Sequence, residues 1–328
     1  MASATPTGSS SKEIETEILP FIRVYKDGTV ERLIDSPIVP PSLQDPQTRV
    51  SSKDIVISND PTISARLYLP NSTQSFQKLP ILVYFHGGGF CVESAFSFLD
   101  HRYLNLIVSE ANVIAVSVEY RLAPEHPLPA AYDDSWHALD WVASHSNSTA
   151  NNAYTEPWLK NHGDFSRVYL GGDSAGGNIV HNLALRAGVE TLNDNVKILG
   201  SVLSHPSFWG SERIGSEPNQ GSSSLHVRIW NLVYPSAPGG IDNPAINPFA
   251  PGAPSLAAIG SSKMLICVAG KDELRDRGIW YYEALKNSEW QGQVELFEIQ
   301  DEGHAFHIYN TESENAKIMI RRWASFLL

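Results

Sequence analysis

The chain has 328 residues, 42% of them hydrophobic and 18% charged, with a net charge of −12 and a pI near 5.3. That size and apolar content suit a globular chain with a large core, and an acidic balance without a basic stripe excludes a nucleic-acid footprint. No apolar run approaches the ~18 residues needed to span a bilayer, so the chain is expected to be non-membrane.

The elements follow in chain order. Residues 1–12 are rich in Ser and Thr, lack an apolar core and read as a disordered tail. Runs 21–25 and 30–33 read as strands joined by the hairpin turn Lys26-Asp27-Gly28. Runs 54–57 and 64–69 read as two more, and together these four are expected to form an antiparallel edge. From residue 81 onward, short β-rich runs at 81–85, 113–118, 168–170, 198–203, 264–269 and 294–299 alternate with helical spacing at 98–111, 130–144, 179–187, 277–287 and 312–328. The strand runs are mostly continuous rather than alternating, as in parallel strands covered on both faces. The expected fold is a mostly parallel, doubly wound α/β sheet within a single domain, 13–328. Residues 206–260 break the alternation. They are rich in Pro, Gly, Ser and Asn, carry Phe208, Trp209, Trp230, Tyr234 and Phe249, and are expected to form a lid with 13–20.

One run carries the chemistry. Gly172-Asp173-Ser174-Ala175-Gly176 is a G-x-S-x-G elbow that follows an apolar strand and opens a helix. A serine hydroxyl needs a base, and the base an orienting acid; in this architecture they follow in the order Ser, Asp or Glu, His. The run 264–269 leads into Gly270-Lys271-Asp272, and 294–299 leads into Asp301-Glu302-Gly303-His304. Asp272 is therefore the expected acid and His304 the expected base. Glu273 and Asp276 are runner-up acids, with Asp276 read as capping the next helix. His307 is the runner-up base, read as structural. The run 81–85 leads into His86-Gly87-Gly88-Gly89, whose glycines let amides approach a developing oxyanion. The amides of Gly88, Gly89 and Ala175 are the expected oxyanion hole, with His86 bracing the loop. Neither a phosphate loop nor a dinucleotide fingerprint is present. No cofactor and no metal site is expected: Cys91 and Cys267 are far apart and read as buried, reduced thiols in a reducing, cytoplasmic setting. Asp133 and Asp134 read as structural at a helix start. Phe90, Phe96, Phe208, Trp209 and Trp230 are candidates to line a pocket or simply to fill the core. The N-x-[ST] matches at 71–73 and 147–149 read as incidental.

The His86-Gly87-Gly88-Gly89 loop, the run Tyr120-Arg121-Leu122-Ala123-Pro124-Glu125-His126-Pro127, the elbow, Asp272 and His304 resemble the hormone-sensitive-lipase-like α/β hydrolases, and within them the plant carboxylesterases. Runs at 24–28, 93–98, 238–244 and 270–277 are similar to the 2-hydroxyisoflavanone dehydratases of legumes; plant cyclases of indole-alkaloid pathways are more distant. The resemblance implies an α/β-hydrolase fold and a small ester or flavonoid-like substrate. Those dehydratases carry Thr at the nucleophile and Ala at the third loop glycine, where this chain has Ser174 and Gly89. Gibberellin receptors of this fold lose the catalytic histidine, which is present here as His304. A serine carboxylesterase is thus the first expectation, a dehydratase-type lyase the second, and a non-catalytic small-molecule receptor the third.

Overall fold

The computed structural model describes residues 12–34, 36–71, 78–147 and 155–328. The expected tail and the two N-x-[ST] matches fall largely outside those residues. In chain order the elements are β1 (Ile14–Ile18), β2 (Ile22–Tyr25), β3 (Val30–Arg32), β4 (Ser51–Asn59), β5 (Thr62–Leu69), β6 (Leu79–Phe85), α1 (Phe98–Ala111), β7 (Ile114–Glu119), α2 (Ala130–Ala143), α3 (Pro157–His162), β8 (Gly163–Asp173) and α4 (Ala175–Val189). There follow β9 (Ile198–Ser204), α5 (Leu225–Val233), β10 (Ser261–Ala269), α6 (Arg275–Lys286), β11 (Gln293–Ile299), α7 (Phe306–Tyr309) and α8 (Glu314–Leu327).

Eight strands form one sheet in the order β11-β10-β9-β8-β6-β7-β5-β4. The six from β11 to β7 are parallel; β5 and β4 add an antiparallel edge. Every residue of β6 is buried, because helices cover both faces of the sheet. Successive side chains point to opposite sides. Ile81, Val83 and Phe85 enter the core shared with α2, α4 and α6, while Leu82 and Tyr84 enter the one shared with α1 and α8. Helix α8 shows how sequence sets this packing. Ala316, Met319, Ile320, Trp323 and Leu327 recur at helical spacing and are all buried, and the Ser313 side chain caps the helix by accepting from the Ala316 amide. Trp323 lies over Gly171, where a Cβ would come within 2.7 Å of its ring; its indole donates to Ser204 Oγ at 3.1 Å. Emptying that position by Trp→Ala would cost about 3–5 kcal/mol.

Two expectations are corrected. The strands at 21–25 and 30–33 do not join the main sheet. With β1, inside the 13–20 segment, they form a separate three-stranded antiparallel sheet. A hairpin fixes local pairing through its turn, but its period of two is the same whichever larger sheet it would join. Helices α3, α5 and α7 were also absent from the sequence reading. Each is short, and α5 lies in the Pro- and Gly-rich stretch whose composition signals a loop.

Candidate active site

The functional side chains gather where the parallel strands end at their carboxyl edges, the position open α/β sheets use for ligands. β8 ends at Asp173 and α4 begins at Ala175, so Ser174 makes the whole turn, with φ 52° and ψ −114°. That left-handed φ is strained for a residue with a Cβ. Crowding leaves no choice on either side: a Cβ on Gly172 would meet Gly176 at 2.4 Å, and one on Gly176 would meet the Phe85 carbonyl at 1.9 Å. The Ser174 amide is held by the Ser204 carbonyl at 2.8 Å. Its hydroxyl stands at the N-terminus of α4, where the helix dipole favours negative charge.

β6 runs straight into the loop 86–89. Gly88 and Gly89 have φ of 94° and 58°. Among the described residues, no protein group accepts from their amides. The loop is braced from behind. His86 stacks on Tyr120 at 4.2 Å between ring centroids, and the Tyr120 hydroxyl donates to the His86 carbonyl at 2.8 Å. Burial pushes the His86 imidazole down to about 4, against the opposing bond to the Gly87 carbonyl, so the ring is neutral.

Asp272 follows β10 and His304 follows β11. His304 Nδ1 donates to Asp272 Oδ2 at 2.8 Å, and the Leu274 amide donates to Oδ1 at 3.0 Å. His205, the first residue after β9, donates from Nδ1 to the same Oδ2 at 3.0 Å. Burial would raise the Asp272 carboxyl, but the His304 charge and the bonds from both imidazoles outweigh it and hold it well below the usual range. Burial would likewise lower His304, yet Asp272, through charge and hydrogen bond, leaves it raised above the ordinary imidazole value. One ligand atom each from His205, Asp272 and His304 lies within 4.8 Å of the others. In both histidines the nitrogen at hydrogen-bond distance from the carboxylate is Nδ1, and both reach the same oxygen, Asp272 Oδ2.

The runner-up residues have other partners, although Glu273 also lines the cavity. Glu273 faces His226 Nε2 at 3.5 Å. Asp276 does not cap α6, whose N-cap is Leu274; it sits in the first turn and accepts from the amide and hydroxyl of Ser216. His307 is fully buried and packs edge-on to Tyr103. Asp134 is buried and forks onto Arg121, while Asp133 is exposed.

Ser174, Gly88, Gly89, Asp272 and His304 all line one cavity of about 420 Å³. Pro20 and Phe21 close it from the β1–β2 turn, and Leu225, His226, Ile229 and Trp230 close it from α5. Of the pocket candidates, Phe90 and Trp230 line the cavity. Phe208 packs on Tyr281, Trp209 stacks on His226, and Phe96 lies under Arg66.

Residues 82–308 match a family described by its alpha/beta hydrolase fold. The chain belongs to that α/β-hydrolase family. It is 60% identical to a 2-hydroxyisoflavanone dehydratase of Glycyrrhiza echinata across 100% of both chains. It is 45% identical to the protein named Probable carboxylesterase 2 of Arabidopsis thaliana, across 97% of this chain and 98% of that one. Among solved structures, a Pyrobaculum calidifontis esterase superposes with a TM-score of 0.63 at 26% identity, covering 84% of each chain.

Two residues of this α/β hydrolase's site escaped the sequence reading. His205 occupies the place that marked out Asp272 and His304, directly after a parallel strand, but no motif flags it. His226 lies on α5, hidden with its helix.

Proposed function

We propose that the chain is a carboxylic-ester hydrolase working through an acyl-enzyme on small apolar or aromatic esters. The observation that carries this is the shared cavity: a strained Ser174 at a helix N-terminus, the amides of Gly88 and Gly89 without an acceptor among the described residues, and a His304 imidazole whose tautomer Asp272 fixes. Because ionised Asp272 only accepts, His304 carries its proton on Nδ1 and presents a bare Nε2. That nitrogen takes the Ser174 proton as Oγ attacks the ester carbonyl. The amides of Gly88, Gly89 and Ala175 receive the charge on the former carbonyl oxygen, and the α4 dipole adds to their effect. His304 then protonates the leaving alcohol; water, activated the same way, releases the acid. Phe21, Phe90, Ile229, Trp230 and Ile308 give the cavity its apolar lining. The sheet of β1–β3 and helix α5 act as its cap. No step calls for a cofactor. Two buried free cysteines suit a reducing compartment such as the cytoplasm, and among the described residues no helix is long and apolar enough to cross a membrane.

The test is hydrolysis of p-nitrophenyl butyrate by wild type and Ser174→Ala. Turnover that disappears in the variant, a loss of several orders of magnitude, supports the reading; equal turnover sinks it.

A second reading has its own observation, the 60% identity over the full length to a dehydratase. In the same pocket, His304 would take the acidic proton next to the ketone of a 2-hydroxyisoflavanone, with the enolate oxygen on the loop amides. The hydroxyl on the adjacent carbon would then leave as water, using the proton returned by His304. Isoflavone forming no faster than without protein rejects it.

A further inference from the structure

A carboxylate that orients a catalytic histidine needs one good donor, yet Asp272 Oδ2 has two, His304 Nδ1 at 2.8 Å and His205 Nδ1 at 3.0 Å. The second is built in from every side. The His205 side chain has no exposure. Its backbone adopts a left-handed φ of 47°, and its amide donates to the Cys267 carbonyl of β10 at 2.8 Å, tying the β9 end to the strand that delivers Asp272. One face stacks on the His307 ring, 5.2 Å away and 12° from parallel, and Phe306 meets it edge-on. An imidazole wedged this way cannot turn aside from the carboxylate.

We propose that His205 is a positioning residue of the esterase site, a second imidazole whose Nδ1–H fixes the Asp272 carboxylate that orients His304. The proposal rests on the hydrolase reading above. Burial holds His205 below the ordinary imidazole value despite the Asp272 bond, so Nδ1 carries the single ring proton and Nε2 has no partner among the described residues. The ring adds no charge. It spreads the charge of Asp272 over two donors, which weakens the pull of that carboxylate on the His304 proton. Other groups face His304 too: Asp173 at the end of β8, His226 on α5 and His307 on α7, of which Asp173 favours the charged imidazole. All of them stay in place when His205 alone is changed.

The experiment compares His205→Phe, which keeps the stacked ring and removes the donor, with His205→Asn, whose amide nitrogen can stand where Nδ1 stood. The readouts are kcat, KM and the pH profile of kcat/KM on p-nitrophenyl butyrate. His205→Phe should lose about 10–100-fold in kcat, the scale known for partners that orient metal-bound histidines, with KM little changed. Its acid limb should move to higher pH, as His304 feels the undivided carboxylate. His205→Asn should restore both to within a few fold. If His205→Phe does not fold, His205→Leu carries the same expectation. A wild-type acid limb in a donorless variant, or no recovery with Asn, overturns the assignment. Ser174→Ala in the same assay separates the two failures: turnover surviving there rejects the hydrolase reading itself, whereas turnover lost there with an unshifted donorless variant rejects only the role of His205.

Discussion

Two adjacent glycines in the loop after β6 differ in what a side chain would meet. On Gly88, with φ 94°, a Cβ would lie 2.2 Å from the Val92 carbonyl oxygen, backbone that cannot give way. On Gly89, with φ 58°, it would meet Ile229 Cγ2 at 3.3 Å, a side chain that can. Gly88→Ala should therefore collapse the loop and lower kcat by 100-fold or more, roughly the 3 kcal/mol that one oxyanion donor supplies. Gly89→Ala should lose less, and the double variant with Ile229→Ala should recover part of it. Steady-state kinetics of the three variants decide this; equal losses at the two glycines would contradict it. At this scale the sequence was readable wherever a continuous apolar strand stopped just before a polar residue, which is why Ser174, Asp272 and His304 stood out. His205 also follows such a strand. It was passed over because a histidine before a proline matches no recurrent turn or catalytic pattern, and its partner Asp272 is distant in sequence.

Among the elements, the long excursion between β9 and β10 is pinned by a buried ion pair. Arg277 of α6 and Glu217 are each 2% exposed; the guanidinium forks onto the carboxylate and also donates to the Glu212 carbonyl. Removing one partner strands the other charge in a dry site. Glu217→Gln should therefore destabilise by about 3–5 kcal/mol, read as the urea midpoint with slope unchanged; a change below ~1 kcal/mol would mean that water reaches the pair. The same excursion shows where sequence reading runs out. Leu225, Val227, Ile229 and Trp230 give α5 the residues of a helix, but nine residues amid Pro, Gly and Ser offer too few periods to separate helix from anchored loop. The separate β1–β3 sheet was hidden for another reason. Its place depends on contacts remote in sequence, such as Arg228 on the Glu17 carbonyl and Phe21 beside Gly89.

The molecule as a whole carries a net charge of −12, and two of its buried carboxyls, Asp100 and Asp173, line the cavity of the site. Burial pushes Asp173 up to about 6, against the hydrogen bond it accepts from Tyr84. Burial, then the nearby Asp173 and Glu93, raise Asp100 well above the usual range. Asp100 Oδ2 accepts from Ser97 at 3.0 Å, while its buried Oδ1 has no partner among the described residues. A carboxyl whose value is raised on folding holds its proton longer in the native state. Its contribution to stability is full below the unfolded value near ~4 and is lost as pH rises through the folded one. Asp100→Asn cannot ionise, so it should gain on wild type between pH 5 and pH 8, by a few degrees in Tm. A difference independent of pH would contradict the burial argument. The global architecture was the most legible level, since alternating apolar strands and amphipathic helices admit few packings. It also sets an order of assembly. β8 and α4 can present Ser174 early, but the strands that lead into Asp272 and His304, and α8 that seals the far face, leave the ribosome after them. A nascent chain displays that serine before Asp272 and His304 have emerged, so on the proposed hydrolase reading translation products truncated before His304 would stay silent in an ester assay.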